Sequence, residues 1–142
     1  MGTKNTPLFH NFFFAVAIIV MVYAGEQVKV HGIYSMRLAA LCAAIAICCM
    51  GISFIPASWS ESYSDKRKVE SNSLVGLYQY KEIQLNNINR ETVLKIQRHA
   101  TLEGYYGARQ DAWHKIAYTL TILSLMFTLI ASILFGIGVF AL

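Results

Sequence analysis

The sequence predicts an all-α integral membrane protein with three transmembrane helices, and three observations predict it. First, 56% of the 142 residues are apolar and only 14% are charged, where soluble domains carry about a quarter charged side chains. Second, all twenty Lys, Arg, Asp and Glu residues lie outside three stretches, Leu8 to Ala24, Leu38 to Ile55 and Ala117 to Leu142. Third, each stretch falls at or just beyond the roughly 17 to 25 residues that carry a helix across about 30 Å of hydrocarbon. A water-soluble globule and a disordered chain are both excluded by this distribution.

Taken in order, the chain divides into an N-terminal transmembrane hairpin (1–56, spans 8–24 and 38–55), a central segment (57–116) and a C-terminal transmembrane helix (117–142). The first span is the weakest, because His10 and Asn11 interrupt its start. Its competing interpretation is a signal peptide, with Lys4 as the basic end and Val22-Tyr23-Ala24 as the cleavage site. The connection GEQVKVHGIYSM, with Gly25 and Gly32 and an alternation at Val28 and Val30, predicts a tight hairpin loop with a little extended structure. In the second span Ala40, Ala43, Ala44, Cys48 and Gly51 form a small-residue face that admits another helix closely.

After Pro56 the serines and mixed charges of ASWSESYSDKRKVESNS predict a solvated linker or frayed helix start. Leu74 to Leu85 suits a helix or one arm of a β-hairpin turning at Asn86-Asn87-Ile88-Asn89. Asn89 is an N-cap, Glu91 complements the helix dipole, and Glu91 to Lys95 is a favourable i, i+4 pair. Arg90 to Leu142 is therefore expected to be one helix running into the third span, with Gly104 and Gly107 as the place for a kink. At 100° per residue Leu94, Leu102, Tyr105, Ala108, Ala112 and Ile116 share a face. Leu102, Tyr105, Ala108, Ala112 and Trp113 are the expected partner contacts.

Orientation follows from the cations. Ten of the twelve Lys and Arg residues fall in the N-terminus and the central segment, while only Lys29 and Arg37 lie in the loop between the first two spans. The positive-inside rule then places the N-terminus and residues 57–116 in the cytoplasm and the C-terminus outside, with the bacterial inner membrane as the expected location. Tyr23 and Tyr34 flank the outer loop, and Trp59, Trp113 and Tyr118 mark the cytoplasmic interface. The net charge of +4 is read as a membrane-surface effect, and nucleic acid is not an expected partner, because no basic patch interleaves with aromatics on one face.

Few residues offer chemistry. Cys42, Cys48 and Cys49 all lie within the second span and are read as free apolar thiols, since adjacent helical side chains diverge. Thr121, Ser124, Thr128, Ser132 and Gly136 place a hydroxyl stripe along the third span; helix packing is the expected use and a wet pore face the competing one. His10 and His114 fall at similar depth, which axial haem ligation would need, but nothing in the sequence supplies a planar cavity. No catalytic, cofactor-binding or metal-ligating constellation is expected, and no ionisable side chain lies within a span to relay protons. The expected function is a non-enzymatic subunit, scaffold or regulator of a larger membrane complex, working through helix contacts with other membrane-protein subunits or with itself in the lipid bilayer. The alternative is a self-assembling pore of holin-like or defence type.

Overall fold

The computed structural model describes the backbone of residues 6–31, 34–83 and 89–141, with side chains over 10–30, 34–80 and 89–141. These residues form three α-helices: α1 (Thr6–His31), α2 (Tyr34–Ile83) and α3 (Arg90–Phe140). All three are long and apolar enough to cross a membrane. No strand occurs among the described residues, and the asparagine break at 86–88 lies outside them.

Two expectations about connections are corrected. The segment Gly25 to His31 is helical and α2 already begins at Tyr34, so the predicted loop and its extended portion at Val28 and Val30 are helix except at 32 and 33, which lie outside the described residues. The reason is burial: Val28 and Met36 both pack on the apolar core, which rewards continuing each helix toward its end. The predicted linker after Pro56 is also helix, as is Leu74 to Ile83, which removes the β-hairpin. Pro56 sits inside α2 and deletes the bond to the Ile52 carbonyl, a loss of about 3 kcal/mol in an isolated helix. Tertiary contacts beyond it offset this loss, because the serine-rich stretch carries Trp59, Ser60 and Tyr63, each of which contacts α3. At the start of α3 the Asn89 carbonyl accepts from Thr92 N at 3.0 Å, and Asn89 Oδ1 accepts from Glu91 N at 3.5 Å. Lys95 and Glu91 pair at 3.0 Å one turn later.

The chain separates into two compact units. The apolar unit contains α1, α2 as far as Phe54, and α3 from Tyr118. Its core consists of Val20 and Ala24 from α1, Met36, Ala39 and Ala43 from α2, and Ala131 from α3. Ala17, Val20 and Ala24 recur at spacings of three and four, as do Met36, Ala39, Ala43, Ala46, Met50 and Ser53, all of them buried. That alternation keeps one seam of each helix facing its neighbour. Alanine at most seam positions lets the backbones approach closely. Where α3 passes the start of α2, a Cβ on Gly138 would lie 2.7 Å from Met36 Cε and 2.9 Å from its Sδ. Met36 is fully buried, so its thioether has little freedom to yield.

The hairpin unit comprises residues 55–117. Here α2 and α3 run antiparallel, with contacts stepping from Trp59 and Trp113 outward to Glu70 and His99. Gly104 and Gly107, the expected kink, both lie within the uninterrupted α3.

Gly138→Ala is expected to destabilise the detergent-solubilised protein by about 1 to 3 kcal/mol through overpacking against Met36. Gly136→Ala, where a Cβ meets nothing within 4 Å, should leave the thermal midpoint unchanged or raise it slightly. Equal midpoints for the two variants in a circular-dichroism melt would show that the Met36 contact does not constrain the fold.

Candidate helix-packing and partner-contact site

The structure divides the predicted small-residue face of the second span. Ala43 is buried in the core and Ala40 packs against that core. Ala44 is half-buried, while Cys48 and Gly51 are exposed, with open space where a Gly51 Cβ would stand. The seam that is buried, Met36 to Ser53, lies about a third of a turn away at 100° per residue. Sequence reasoning followed small residues spaced by four and missed Met36, Ala39, Ala46 and Met50. The three-four alternation of these positions was the available signal. All three cysteines are free.

The hydroxyl stripe is brought inside the apolar unit. Ser124 Oγ donates across to the Ala46 carbonyl of α2 at 2.8 Å. Thr128 Oγ1 donates back to the Ser124 carbonyl at 2.8 Å, and Ser132 Oγ to the Thr128 carbonyl at 2.9 Å. Ser124 and Thr128 are each only 2% exposed. Thr121 and Gly136 are half-buried beside them. A serine hydroxyl with no water nearby is costly unless its hydrogen is donated, and these geometries satisfy that need within the chain.

In the hairpin unit the seam is mostly polar and aromatic, with the aliphatic Leu74 and Ala117 buried among its positions. Its α2 positions are Ser60, Tyr63, Arg67, Glu70 and Leu74; its α3 positions are His99, Glu103, Tyr106, Gln110, Trp113 and Ala117. Both series alternate three and four, as in a coiled coil. Trp59 and Trp113 meet edge to face with centroids 4.4 Å apart and planes at 76°. Ser60 Oγ donates to the Gln110 carbonyl at 3.2 Å. The Tyr63 and Tyr106 rings lie 6.2 Å apart, with Lys66 Nζ 5.2 Å from the first centroid and 5.9 Å from the second. Arg67 lies over Gly107, 3.4 Å from where a Cβ would be, and its Nε is 4.0 Å from Glu103 Oε1. Half-exposed and at that distance, the Arg67 pair contributes under about 1 kcal/mol. Further out, His99 Nδ1 meets Glu70 Oε2 in a partly buried contact.

Of the predicted partner contacts, Trp113 is engaged within the chain by Trp59. Leu102 is half-buried, and Tyr105, Ala108 and Ala112 are exposed. With Leu94 and Ile116 they occupy a face turned roughly 130° from the seam. Arg109 stacks over Tyr105, its guanidinium carbon 5.4 Å from the ring centroid. No group of three or more metal-binding side chains occurs among the described residues. Comparison with known protein families, curated proteins and solved structures finds no match to this chain.

Two outcomes are expected from stability measurements in detergent. A double-mutant cycle of Trp59→Ala and Trp113→Ala should return a coupling of about 0.5 to 1.5 kcal/mol, whereas Tyr105→Ala, on the outer face, should cost under about 0.5 kcal/mol. Additive tryptophan variants would contradict the edge-to-face contact. Ser124→Ala should cost about 0.6 kcal/mol, the typical worth of an interhelical hydrogen bond in a membrane protein.

Proposed function

We propose that the chain is a non-enzymatic integral membrane protein that serves as a subunit, scaffold or regulator of a larger membrane complex. One observation carries this reading: packing within the hairpin unit uses a mainly polar and aromatic seam and leaves the apolar face of α3 uncovered. Leu94 is 55% exposed, Tyr105 49% and Ile116 46%. A monomer gains little from leaving such side chains uncovered at helical spacing, from Leu94 up to Ile116 at the membrane interface, and a surface of this kind is what a binding partner covers.

The burial of the hydroxyl stripe supports the subunit reading over a pore. A water-lined path needs polar groups left free to meet water, and Ser124, Thr128 and Ser132 are donating to carbonyls inside the chain. In this reading the N-terminus and the hairpin unit face the cytoplasm, where ten of twelve cations reside, and the C-terminus lies outside. The small residues left exposed on α2, Cys48 and Gly51, are then available to a neighbouring transmembrane helix.

Two experiments check this. Cysteines placed at Ser62 and at Lys29, on a background lacking Cys42, Cys48 and Cys49, should label from opposite sides with a membrane-impermeant maleimide. Labelling of both from outside would refute the topology. The native chain, purified in mild detergent, should bring stoichiometric foreign subunits and pass no current alone in planar bilayers. Reproducible single-channel steps that Thr128→Val suppresses would establish the pore instead.

A further inference from the structure

The uncovered face of α3 is not purely apolar. At 100° per residue Arg98 and Arg109 fall within about 60° of Leu94, Tyr105, Ala112 and Ile116, so two guanidiniums stand in the same strip. Both arginines are exposed, and among the described residues neither has a carboxylate partner. Glu91 shares the azimuth of Arg109 at the start of the strip, and Lys95 neutralises it at 3.0 Å. Glu103 faces the seam beside Arg67 instead. The strip is thus apolar with unneutralised positive charge. Leu94 and Leu102, with Gln97, Arg98 and Thr101, border a shallow open depression on the surface of α3. Tyr105 supplies a rigid ring at the middle of the strip, with the Arg109 guanidinium laid over it.

We propose that this strip docks an acidic amphipathic helix of another protein. It inserts an apolar side chain beside Leu94 and Leu102 and sets carboxylates against Arg98 and Arg109. The two arginines are eleven residues apart, three helical turns or about 16 Å, so a helix lying along α3 meets both with carboxylates at the same spacing on one of its faces. Arginine suits the task because its planar donor fork pairs a carboxylate bidentately and loses little freedom when already stacked on a ring. A second copy of this chain is a poorer occupant, since face-to-face pairing sets like-charged arginine strips against each other, and the exposed Asp111 lies about 100° round the helix from Ala112. The proposal rests on the subunit reading and specifies the chemistry of the partner.

The test uses the full chain in nanodiscs of zwitterionic lipid. The probes are a fluorescent helical peptide of about twenty residues with a leucine stripe flanked by glutamates, and its counterpart with lysine for every glutamate. The glutamate peptide should bind at least about tenfold more tightly than the lysine peptide, and the preference should weaken with salt. Arg98→Glu with Arg109→Glu should reverse it, the uncharged Arg98→Gln and Arg109→Gln should each reduce it, and Lys68→Glu on α2 should leave it intact. Failure of the glutamate peptide to bind, equal binding of both peptides, or a preference that survives the double reversal would overturn the proposal. So would displacement of the peptide by phosphatidylserine vesicles, which assigns the strip to lipid. Disulfide-linked dimers through Ala112→Cys on a cysteine-free background would assign it to a second copy and overturn the proposal equally. Foreign subunits that co-purify undiminished with the double-reversed chain would overturn this docking site while leaving the subunit reading intact. Peptide selectivity without any co-purifying subunit would support the site and refute that reading.

Discussion

The alternation of three and four residues along the buried seams is the constraint on which the rest of the structure depends. A straight helix turns 100° per residue, so only positions spaced this way stay on one side over several turns. Along α2 the alternation selects Met36, Ala39, Ala43, Ala46, Met50 and Ser53 in the apolar unit. In the hairpin unit it selects Ser60, Tyr63, Arg67, Glu70 and Leu74. The spacing is shared and the chemistry differs. Alanines bring backbones together in the apolar unit, and paired rings and charges join the helices of the hairpin unit.

Satisfaction of polar groups follows from the same geometry. Ser124 reaches the Ala46 carbonyl because two helices approach closely at alanine positions, and Thr128 and Ser132 turn back to their own helix. Ser124 and Thr128 are buried and Ser132 is partly so, and all three donate within the chain. Of the described glycines Gly138 is the one where an added Cβ would meet a neighbour most tightly, and the hydrogen in place of a side chain admits the buried Met36.

Packing also decides which surfaces are left over. In the hairpin unit the helices meet through residues that a hydropathy count scores as surface, and the aliphatic side chains Leu94 and Ile116 remain outside. Arg98 and Arg109 give that leftover face a sign as well as an area.

The sequence by itself determined the helical class, the three apolar helices and the start of α3. Each is a local property: a run without charges, a length set by the rise per residue, an asparagine placed before a periodic segment. It also located the hydroxyls at 124, 128 and 132, because their spacing is visible without knowing what they face. The helicity of 57–83, the Met36 and Gly138 contact, and the seam of Tyr63, Tyr106, Glu70 and His99 were decided only by tertiary structure. Repeated serines with tyrosine, asparagine and aspartate carry only modest helix propensity, and the stretch becomes helix here with rings and polar groups on α2 finding partners on α3, tens of residues away in sequence. The apolar stripe of α3 was legible as a face but not as the outer one. Periodicity shows that residues share a side, whereas the choice of which side is buried depends on the helix that packs against it.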